Sequence, residues 1–323
     1  MILVVGGAGY IGSHVCAALV DSGRDVRVYD NLEKGHQQAI PEGVELVVGD
    51  LRHKEKLNQA LKGVTSVIQL AAYIEVAESI SHPLSYYQNN VGGTLNLLEA
   101  MLEEGVKKIV FSSTAAVYGQ CEETKLSESH PLSPINPYGW SKRMVEKILE
   151  DMEVAKQIQS VRLRYFNAAG GSAQRGENHQ PETHLIPRLI RSAYEKNEKF
   201  SIYGVDYETD DGSCVRDYIS VKDLADAHVC SLDYLDSQRS GVFNLGNGQG
   251  FSVKEVIHTV QKITGKEIEV KVASRREGDP ATLVASSDKA RQELAWQPQE
   301  TDITSIVQGA CDFYRNFPKG YDD

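Results

Sequence analysis

Short apolar runs alternate with amphipathic stretches through the first half of the chain. Each run is rich in Val, Ile or Leu and is bounded by turn or helix-forming segments. Continuous apolar runs of this length are typical of strands in a parallel sheet that is covered on both faces. Strand–helix alternation of this kind predicts an α/β fold with a Rossmann-type, doubly wound parallel sheet. The runs lie at 2–5, 26–29, 44–48, 66–70, 108–112 and 161–165.

The pattern changes after residue 166. Residues 168–183 are polar and rich in glycine, which predicts a long loop, and residues 252–264 have the periodicity of a helix. We expect a smaller C-terminal α/β lobe that closes over the carboxyl edge of the sheet. The predicted division is a first domain over 1–167, with a return segment near 215–240, and a second domain over 168–323.

A glycine-rich segment follows the first predicted strand. Gly6, Gly9 and Gly12 have the spacing Gly-x-x-Gly-x-x-Gly and lead directly into a helical run. Glycines permit a tight turn and close approach of a ligand, and a helix N-terminus presents unpaired N–H groups to phosphate. Three glycines alone also fit an ordinary turn, but the strand before and the helix after them favour dinucleotide binding.

The second predicted strand ends at Asp30, close to the offset expected for an acid that binds a ribose diol. Its charge would repel a 2′-phosphate, and no arginine follows immediately, so NAD is favoured over NADP. Asp50 and Leu51 follow the third predicted strand. Asp50 is predicted either to hold the adenine end of the cofactor or to cap a helix.

Tyr138 and Lys142 lie at positions i and i+4 of a predicted helix that runs to about residue 152. This spacing places them on one helix face. A free tyrosine has a pKa near 10. One cation at about 5 Å stabilises the phenolate form by about 3 kcal/mol at an effective dielectric near 20, which lowers this pKa. Beside a dinucleotide motif, the pair predicts an acid–base tyrosine whose pKa is lowered by Lys142.

Thr114 follows the fifth predicted run, in a segment that carries several hydroxyl groups. The carboxyl ends of parallel strands are where such folds bind ligands. A hydroxyl there hydrogen-bonds a reacting oxygen or serves only as a local cap. We interpret Thr114 as the third catalytic group.

Composition narrows the choice of partners. The net charge of −11 argues against nucleic acid or anionic lipid as a partner, and 41% apolar residues are ordinary for a globular protein. No apolar run has the length of a membrane span, and we expect a cytoplasmic protein. The cysteines show no metal-ligand spacing, so no metal site is predicted. They are Cys16, Cys121, Cys214, Cys230 and Cys311.

Together these motifs resemble the extended short-chain dehydrogenase/reductase family, and within it the branch of UDP-glucose (UDP-galactose) 4-epimerases. The resemblance covers essentially the whole chain, and the later motifs make it specific. In chain order the matching segments are 6–12, 30–32, 86–94, Tyr138-x-x-x-Lys142, 164–167, 184–187, 215–218 and 275–279.

The resemblance implies that NAD and Tyr138 together oxidise C4 of a UDP-hexose and return hydride to its other face. It implies a homodimer built on the helices that contain 87–104 and Tyr138. Cofactor contacts, besides the three glycines, are expected from Tyr10, Ile11, Asp30, Asn31, Asp50, Leu51, Ala71, Ala72, Asn89, Tyr138, Lys142 and Phe166. Substrate contacts are expected from Thr114, Asn167, Leu185, Tyr203, Arg216, Arg276 and Asp279.

The chain departs from the family pattern at a few positions. Ile74 stands where many members have a lysine, His184 where many have asparagine, and Thr114 where many have serine. Leu283 occupies an expected gate of the sugar pocket, or else a core strand position. A leucine gate leaves room for a 2-acetamido group.

Three other functions remain as alternatives. A 4,6-dehydratase needs an acid after the catalytic threonine, where this chain has Ala115 and Ala116. A 4-epimerase of another UDP-sugar, such as UDP-N-acetylglucosamine or UDP-xylose, keeps the same motifs. A non-catalytic NAD sensor would not require Thr114, Tyr138 and Lys142 together.

Overall fold

A computed structural model describes residues 1–121, 123–195, 200–276 and 279–321. Six of its strands follow the six predicted apolar runs, with shifts of one or two residues at their ends. In chain order they are β1 (Ile2–Val5), β2 (Val26–Asp30), β3 (Glu45–Val48), β4 (Ser66–Gln69), β5 (Lys108–Thr114), β6 (Lys125–Leu126), β7 (Gln159–Tyr165), β8 (Asn167–Ala169), β9 (Phe200–Tyr203), β10 (Val215–Arg216), β11 (Tyr218–Ser220), β12 (Gly241–Leu245), β13 (Phe251–Ser252), β14 (Val270–Ala273) and β15 (Thr282–Ala285).

The helices connect these strands, and most of them lie where apolar residues recur at helical spacing. In chain order they are α1 (Tyr10–Asp21), α2 (Lys54–Leu61), α3 (Val76–Ser81), α4 (Pro83–Tyr86), α5 (Gly93–Glu103), α6 (Pro137–Val154), α7 (Leu185–Tyr194), α8 (Val221–Asp236), α9 (Val253–Thr264), α10 (Asp288–Glu293) and α11 (Ile303–Asn316). None of the helices described is long and apolar enough to cross a membrane.

The large sheet confirms the predicted Rossmann-type fold. Its described strands lie in the order β12-β7-β5-β4-β1-β2-β3, and every neighbouring pair is parallel. The order reverses beside β1, and ligands bind at this point in open α/β sheets.

Helices cover both faces of this sheet because its strand side chains are apolar on both. On one face α1 and α8 enclose a core that includes Val4, Val28 and Leu224. On the other face α2, α5 and α6 enclose a second core that includes Leu3, Leu97 and Leu149. Burial of both strand faces explains why these strands have continuous apolar sequences.

Two elements from late in the chain complete the large sheet. β12 pairs in parallel with β7, and α8 packs against α1. Both follow β11, which itself pairs with the short strand β8.

The C-terminal lobe has its own core between α7, α9 and α11, with Ile186, Leu189 and Val260 among the buried residues. Helix α9 begins with a capping box, in which Ser252 and Glu255 satisfy each other's backbone N–H groups. The predicted long loop after residue 166 includes the short strand β8. This loop is tied to the large domain by a hydrogen bond of 2.9 Å from the Tyr10 hydroxyl to the Gly170 carbonyl.

Candidate functional site

The turn between β1 and α1 requires glycine on steric grounds. Gly6 has a φ of +84°, and a Cβ there would lie 2.6 Å from the amide nitrogen of Ala71. A Cβ on Gly12 would lie 2.1 Å from the Gly6 carbonyl oxygen. The first intrahelical bond runs from Ser13 to Gly9, so the N–H groups of the intervening first turn remain available to an anion.

Asp30, the last residue of β2, holds this turn in place. Its carboxylate accepts hydrogen bonds from the backbone N–H of Ala8 at 3.0 Å and of Leu32 at 2.9 Å. The side chain is largely buried, and this burial raises the pKa of the carboxyl group. The sheet therefore brings the Asp30 carboxylate next to the glycine turn.

Asp50 lies beside Asn31 at the next strand end. Its carboxylate accepts from the Asn31 amide at 3.2 Å and from the Arg52 backbone and guanidinium, and the arginine lowers the pKa of Asp50. The alternative that Asp50 caps a helix is wrong, because His53 is the N-cap of α2. Leu51 is buried beneath Gly93, where an added Cβ would be 3.0 Å from the leucine Cβ.

These residues fit a dinucleotide. The glycine turn leaves no room for side chains, and the acidic strand end is close to it. Ala71 and Ala72 follow β4 on the other side of the turn, and Ile11 lies in the first turn of α1. Tyr10 is buried with its hydroxyl bound to Gly170, so only its backbone remains for the predicted cofactor contact.

Asn89 lies in a π-helical turn, Tyr87–Gly92, that leads into α5. The sequence predicted a single helical stretch here. The neighbouring Asn90 is buried and bonds both the N–H and the carbonyl of Tyr73, at 2.8 and 3.0 Å, and the Ser141 hydroxyl at 3.0 Å. Asn90 thus joins the strand end after β4 to the helix that carries Tyr138, a role that sequence analysis missed. π-helical turns of this kind are frequent at functional sites.

The predicted catalytic residues come together at the carboxyl edge of the sheet. Helix α6 begins at Pro137 with Asn136 as its N-cap, and its first turn carries Tyr138. The Tyr138 hydroxyl hydrogen-bonds Thr114, the last residue of β5. One turn further on, Lys142 donates a hydrogen bond of 2.8 Å to the Ser112 carbonyl.

The pKa values of Tyr138 and Lys142 differ from those we expected. Burial lowers the pKa of Lys142 to about 7, because a low-dielectric interior disfavours its ammonium form. Burial also raises the pKa of Tyr138, and the hydrogen bond from Thr114 acts in the opposite direction. We predicted that Lys142 lowers the pKa of Tyr138; in this structure burial is the largest influence on that pKa, and burial raises it. An ammonium that is charged for only part of the time stabilises a phenolate less than a fixed cation does.

A second buried network lies beneath the catalytic group and was not predicted. The Tyr165 hydroxyl is 2.5 Å from His228 Nε2 and also hydrogen-bonds Ser112, whose carbonyl holds Lys142. Burial raises the pKa of Tyr165 and lowers that of His228 to about 4, so both groups are neutral near pH 7. Their sequence neighbours give no sign of this pairing, because Tyr165 on β7 and His228 on α8 meet only when α8 packs on the sheet.

The next predicted contacts follow β7. Phe166 is buried, and its backbone N–H donates to the Leu245 carbonyl at 3.1 Å. The Asn167 amide donates to the Asp217 carbonyl at 2.9 Å. Leu185 begins α7 and packs against the C-terminal core.

Four predicted substrate residues form two pairs. The Arg276 guanidinium lies over the Tyr203 ring, 4.1 Å from its centroid. Arg216 Nη2 lies 3.2 Å from Asp279 Oδ1, and its Nη1 donates to the Pro280 carbonyl. The motif that contains Arg276 and Asp279 also includes residues 277 and 278, which lie outside the described residues.

Asp217 is a structural residue within a motif that the sequence assigned to the substrate. Its buried carboxylate accepts from the backbone N–H groups of Asn247 at 2.6 Å, Gly248 at 3.0 Å and Ala285 at 3.0 Å. It therefore fixes Arg216, the preceding residue, relative to the ends of β12 and β15.

Comparisons with known proteins agree with this geometry. The chain is 47% identical to a UDP-glucose 4-epimerase of Halalkalibacterium halodurans over 99% of this chain and 97% of the relative. It is similar to a Bifidobacterium longum UDP-glucose 4-epimerase solved with NAD+ and UDP (TM-score 0.92, 36% identity, 99% of both chains). It is also similar to the UDP-Glc/GlcNAc 4-epimerase of Campylobacter jejuni (TM-score 0.86, 40% identity, 97% of this chain and 98% of the other).

These matches confirm the resemblance inferred from the motifs and the expectation of an enzyme that uses NAD. The model of one family, described as the NAD dependent epimerase/dehydratase family, matches residues 2–246. The chain belongs to the NAD dependent epimerase/dehydratase family.

Proposed function

We propose that this protein interconverts UDP-glucose and UDP-galactose by inverting C4 of the hexose through a 4-keto intermediate. The observation that carries this proposal is the meeting of Tyr138, Thr114 and Lys142 at the sheet edge beside the glycine turn. The full-length similarity to UDP-glucose 4-epimerases supports the choice of substrate.

Tyr138 is the acid–base group of the proposed reaction. Its phenolate form accepts the proton of the sugar 4-hydroxyl, and the hydroxyl so formed later returns that proton, while Thr114 orients the reacting oxygen through its own hydroxyl. The position of Lys142 is fixed by its hydrogen bond to the Ser112 carbonyl. In its ammonium form, Lys142 stabilises the phenolate of Tyr138. NAD, when bound, supplies the hydride acceptor and a positive ring that adds to the attraction of the phenolate.

The UDP moiety is proposed to bind in the C-terminal lobe. Arg216 and Arg276 supply two guanidinium groups for the diphosphate, and charge-assisted hydrogen bonds of this kind are strong. Tyr203 supports Arg276 from below, and Asp279 orients Arg216. Asn167 and Leu185 are proposed to contact the same UDP-sugar. Anchoring through the nucleotide leaves the hexose free to present either face of C4.

This assignment gives the two parts of the chain different tasks. Residues 1–167, with the return near 215–240, are proposed to bind NAD, and residues 168–323 to bind the UDP-sugar. The catalytic side chains and Arg216, at the start of the return segment, belong to the first part, and Arg276 belongs to the second. Turnover then requires the two parts to keep a fixed position relative to each other.

A homodimer is proposed from apolar side chains on α5 and α6. Leu97, Leu98, Met101, Val145 and Leu149 face the core as expected. Leu95 is 42% exposed and Met144 is 41% exposed. Exposed apolar side chains on two neighbouring helices support pairing across a two-fold axis. Light scattering at micromolar concentration tests this, and a monomeric mass contradicts it.

An assay with separate UDP-sugars tests the proposed function. We expect UDP-galactose and UDP-glucose to be interconverted, without net change in NAD, when each is incubated with the protein and the products are separated. The control is the same assay with UDP-mannose, which differs from glucose at C2. Failure to turn over any UDP-sugar contradicts the epimerase and favours the NAD-sensing alternative.

Activity on an N-acetylated sugar is the second candidate function. Leu283 lies on β15 beside Arg216 and packs near Phe166, so it is close to a proposed contact with the UDP-sugar. The similarity to the UDP-Glc/GlcNAc 4-epimerase of Campylobacter jejuni also favours activity on an N-acetylated sugar. Replacing Leu283 with tyrosine is expected to lower kcat/KM for UDP-N-acetylgalactosamine about 10-fold more than for UDP-galactose, the scale of a small steric misfit. An equal effect on both sugars assigns Leu283 to the core.

A further inference from the structure

Two glutamates and two histidines gather at the end of the loop that follows β8. They are Glu177, His179, Glu182 and His184, and one potential ligand atom from each lies within 4.8 Å of the others. These residues lie outside the proposed catalytic group.

The spacing of these atoms matches a small coordination sphere. Glu177 Oε1 lies 2.7 Å from His184 Nδ1 and 3.2 Å from His179 Nδ1, and His184 Nδ1 lies 3.3 Å from Glu182 Oε1. Four ligands at about 2.1 Å around a tetrahedral Zn²⁺ are about 3.4 Å apart. The pairs at 3.2 and 3.3 Å already have nearly this separation, and the pair at 2.7 Å would have to lengthen by about 0.7 Å.

The cluster also contains buried polar atoms that lack partners. The side chain of Glu177 is 6% exposed and that of Glu182 only 1% exposed. Glu182 Oε2 has no hydrogen-bond partner among the described residues, and His179 Nδ1, although 3.2 Å from Glu177 Oε1, makes no hydrogen bond of good geometry there. A buried polar atom without a partner is costly, and a cation between these side chains would satisfy both.

We propose that Glu177, His179, Glu182 and His184 form a structural Zn²⁺ site. Two carboxylates and two neutral imidazoles balance the charge of a divalent ion. Imidazole donors favour zinc over Ca²⁺ and Mg²⁺, which prefer six or more oxygen ligands. Four protein ligands leave no open position for substrate, as in other structural zinc sites.

The position of the cluster shows what such an ion would hold together. Its loop contacts the segment after β2, where Lys34 Nζ donates to the Gln180 carbonyl at 3.2 Å. It also contacts the segment after β4, where Thr183 Oγ1 donates to Glu75 at 3.0 Å. His184 is the N-cap of α7, directly before Leu185. The ion would therefore fix the start of α7 relative to the segments after β2 and β4. This structural role is independent of the proposed reaction.

The proposal revises the expectation that no metal is bound. That expectation rested on cysteine spacing, whereas these ligands come from a repeated Glu-x-His pattern at 177–179 and 182–184. The same pattern places His184 at one of the positions where the chain departs from its family.

Metal content tests the site directly. Untagged protein is stripped with a chelator, equilibrated with micromolar Zn²⁺, desalted and analysed for zinc. We expect about one Zn²⁺ per chain in the wild type and in His258→Gln, a matched control on the exposed face of α9. We expect losses of more than half in His179→Gln and in Glu182→Gln. No zinc in the wild type, or unchanged zinc in both variants, overturns the proposal and leaves an ion-pair network.

Cobalt substitution gives a second readout. Tetrahedral Co²⁺ absorbs visible light far more strongly than six-coordinate Co²⁺, so the wild type and His258→Gln are expected to show intense bands that His179→Gln lacks. Circular dichroism and NAD binding establish that each variant is folded. A weak six-coordinate spectrum in the wild type overturns the tetrahedral site.

Discussion

Two buried cations lie at the contact between α6 and the large sheet, and they differ in what surrounds them. Arg164 on β7 makes a bidentate contact with Glu146 on α6, at 2.9 and 2.8 Å, and also donates to Tyr118 at 3.0 Å. Lys142, one turn before Glu146, donates to the Ser112 carbonyl and lies 5.0 Å from the centre of the Phe111 ring.

The difference shows how one fold can hold a permanently charged structural residue and a titratable residue close together. A carboxylate beside Arg164 raises the pKa of its guanidinium, so this charge is fixed at every working pH. Burial without a carboxylate contact among the described residues brings the pKa of Lys142 to about 7. A paired buried charge gives a fixed structure, whereas a buried charge that lacks a counterion becomes titratable.

The largest expected effect comes from breaking the paired side. Arg164→Met leaves the carboxylate of Glu146 buried without its main partner, and this should lower the free energy of unfolding by about 3–5 kcal/mol. Urea unfolding monitored by circular dichroism measures it. The double variant Glu146→Leu/Arg164→Met is the control and should recover most of the loss. A single variant as stable as the wild type would show that the pair contributes nothing.

The next effect concerns the catalytic side. Tyr138→Phe should keep the fold and NAD binding but lower kcat for UDP-galactose by at least about 10²-fold, because it removes the acid–base hydroxyl. The free energy of unfolding should change far less than in Arg164→Met. Near-normal turnover in folded Tyr138→Phe protein would remove Tyr138 from the proposed mechanism.

The smallest effect is a pH dependence of stability. Lys142 has a pKa near 7 when folded and near 10.5 when unfolded, so the unfolded chain binds more protons between these values. The free energy of unfolding should therefore rise as the pH increases from 7. Relative to Lys142→Met, the rise should be about 1 kcal/mol per pH unit. Urea unfolding of both proteins at pH 7, 8 and 9 tests this. Parallel curves would mean that Lys142 keeps an ordinary pKa.

The sequence predicted the large sheet well because its strands are buried on both faces. This burial makes β1, β4 and β5 continuous apolar runs, and glycine spacing marks the first turn unmistakably. The approach of Tyr138 to Thr114 followed from strand order and helix spacing, which are local properties combined with a known sheet topology.

The parts that were missed depend on contacts between distant segments. Asp50 accepts a hydrogen bond from Asn31 at the neighbouring strand end, and Asn90 joins two segments of the site. Lowering of the Tyr138 pKa by Lys142 was predicted from charge alone, whereas desolvation depends on how deeply α6 packs. Burial of this kind is a property of the assembled fold and has no signature within a few residues.

The addition of β12 to the large sheet has a consequence for how the chain folds. Residues 241–245 must reach β7 before that sheet is complete, and α8 must cover α1. Closing so long a loop is slow, because non-local pairing requires chain entropy to be lost first. A fragment that stops at residue 167 would leave β7 as an open edge and one face of α1 exposed to water. During synthesis, then, the large sheet is completed only after the ribosome has delivered residues 241–245.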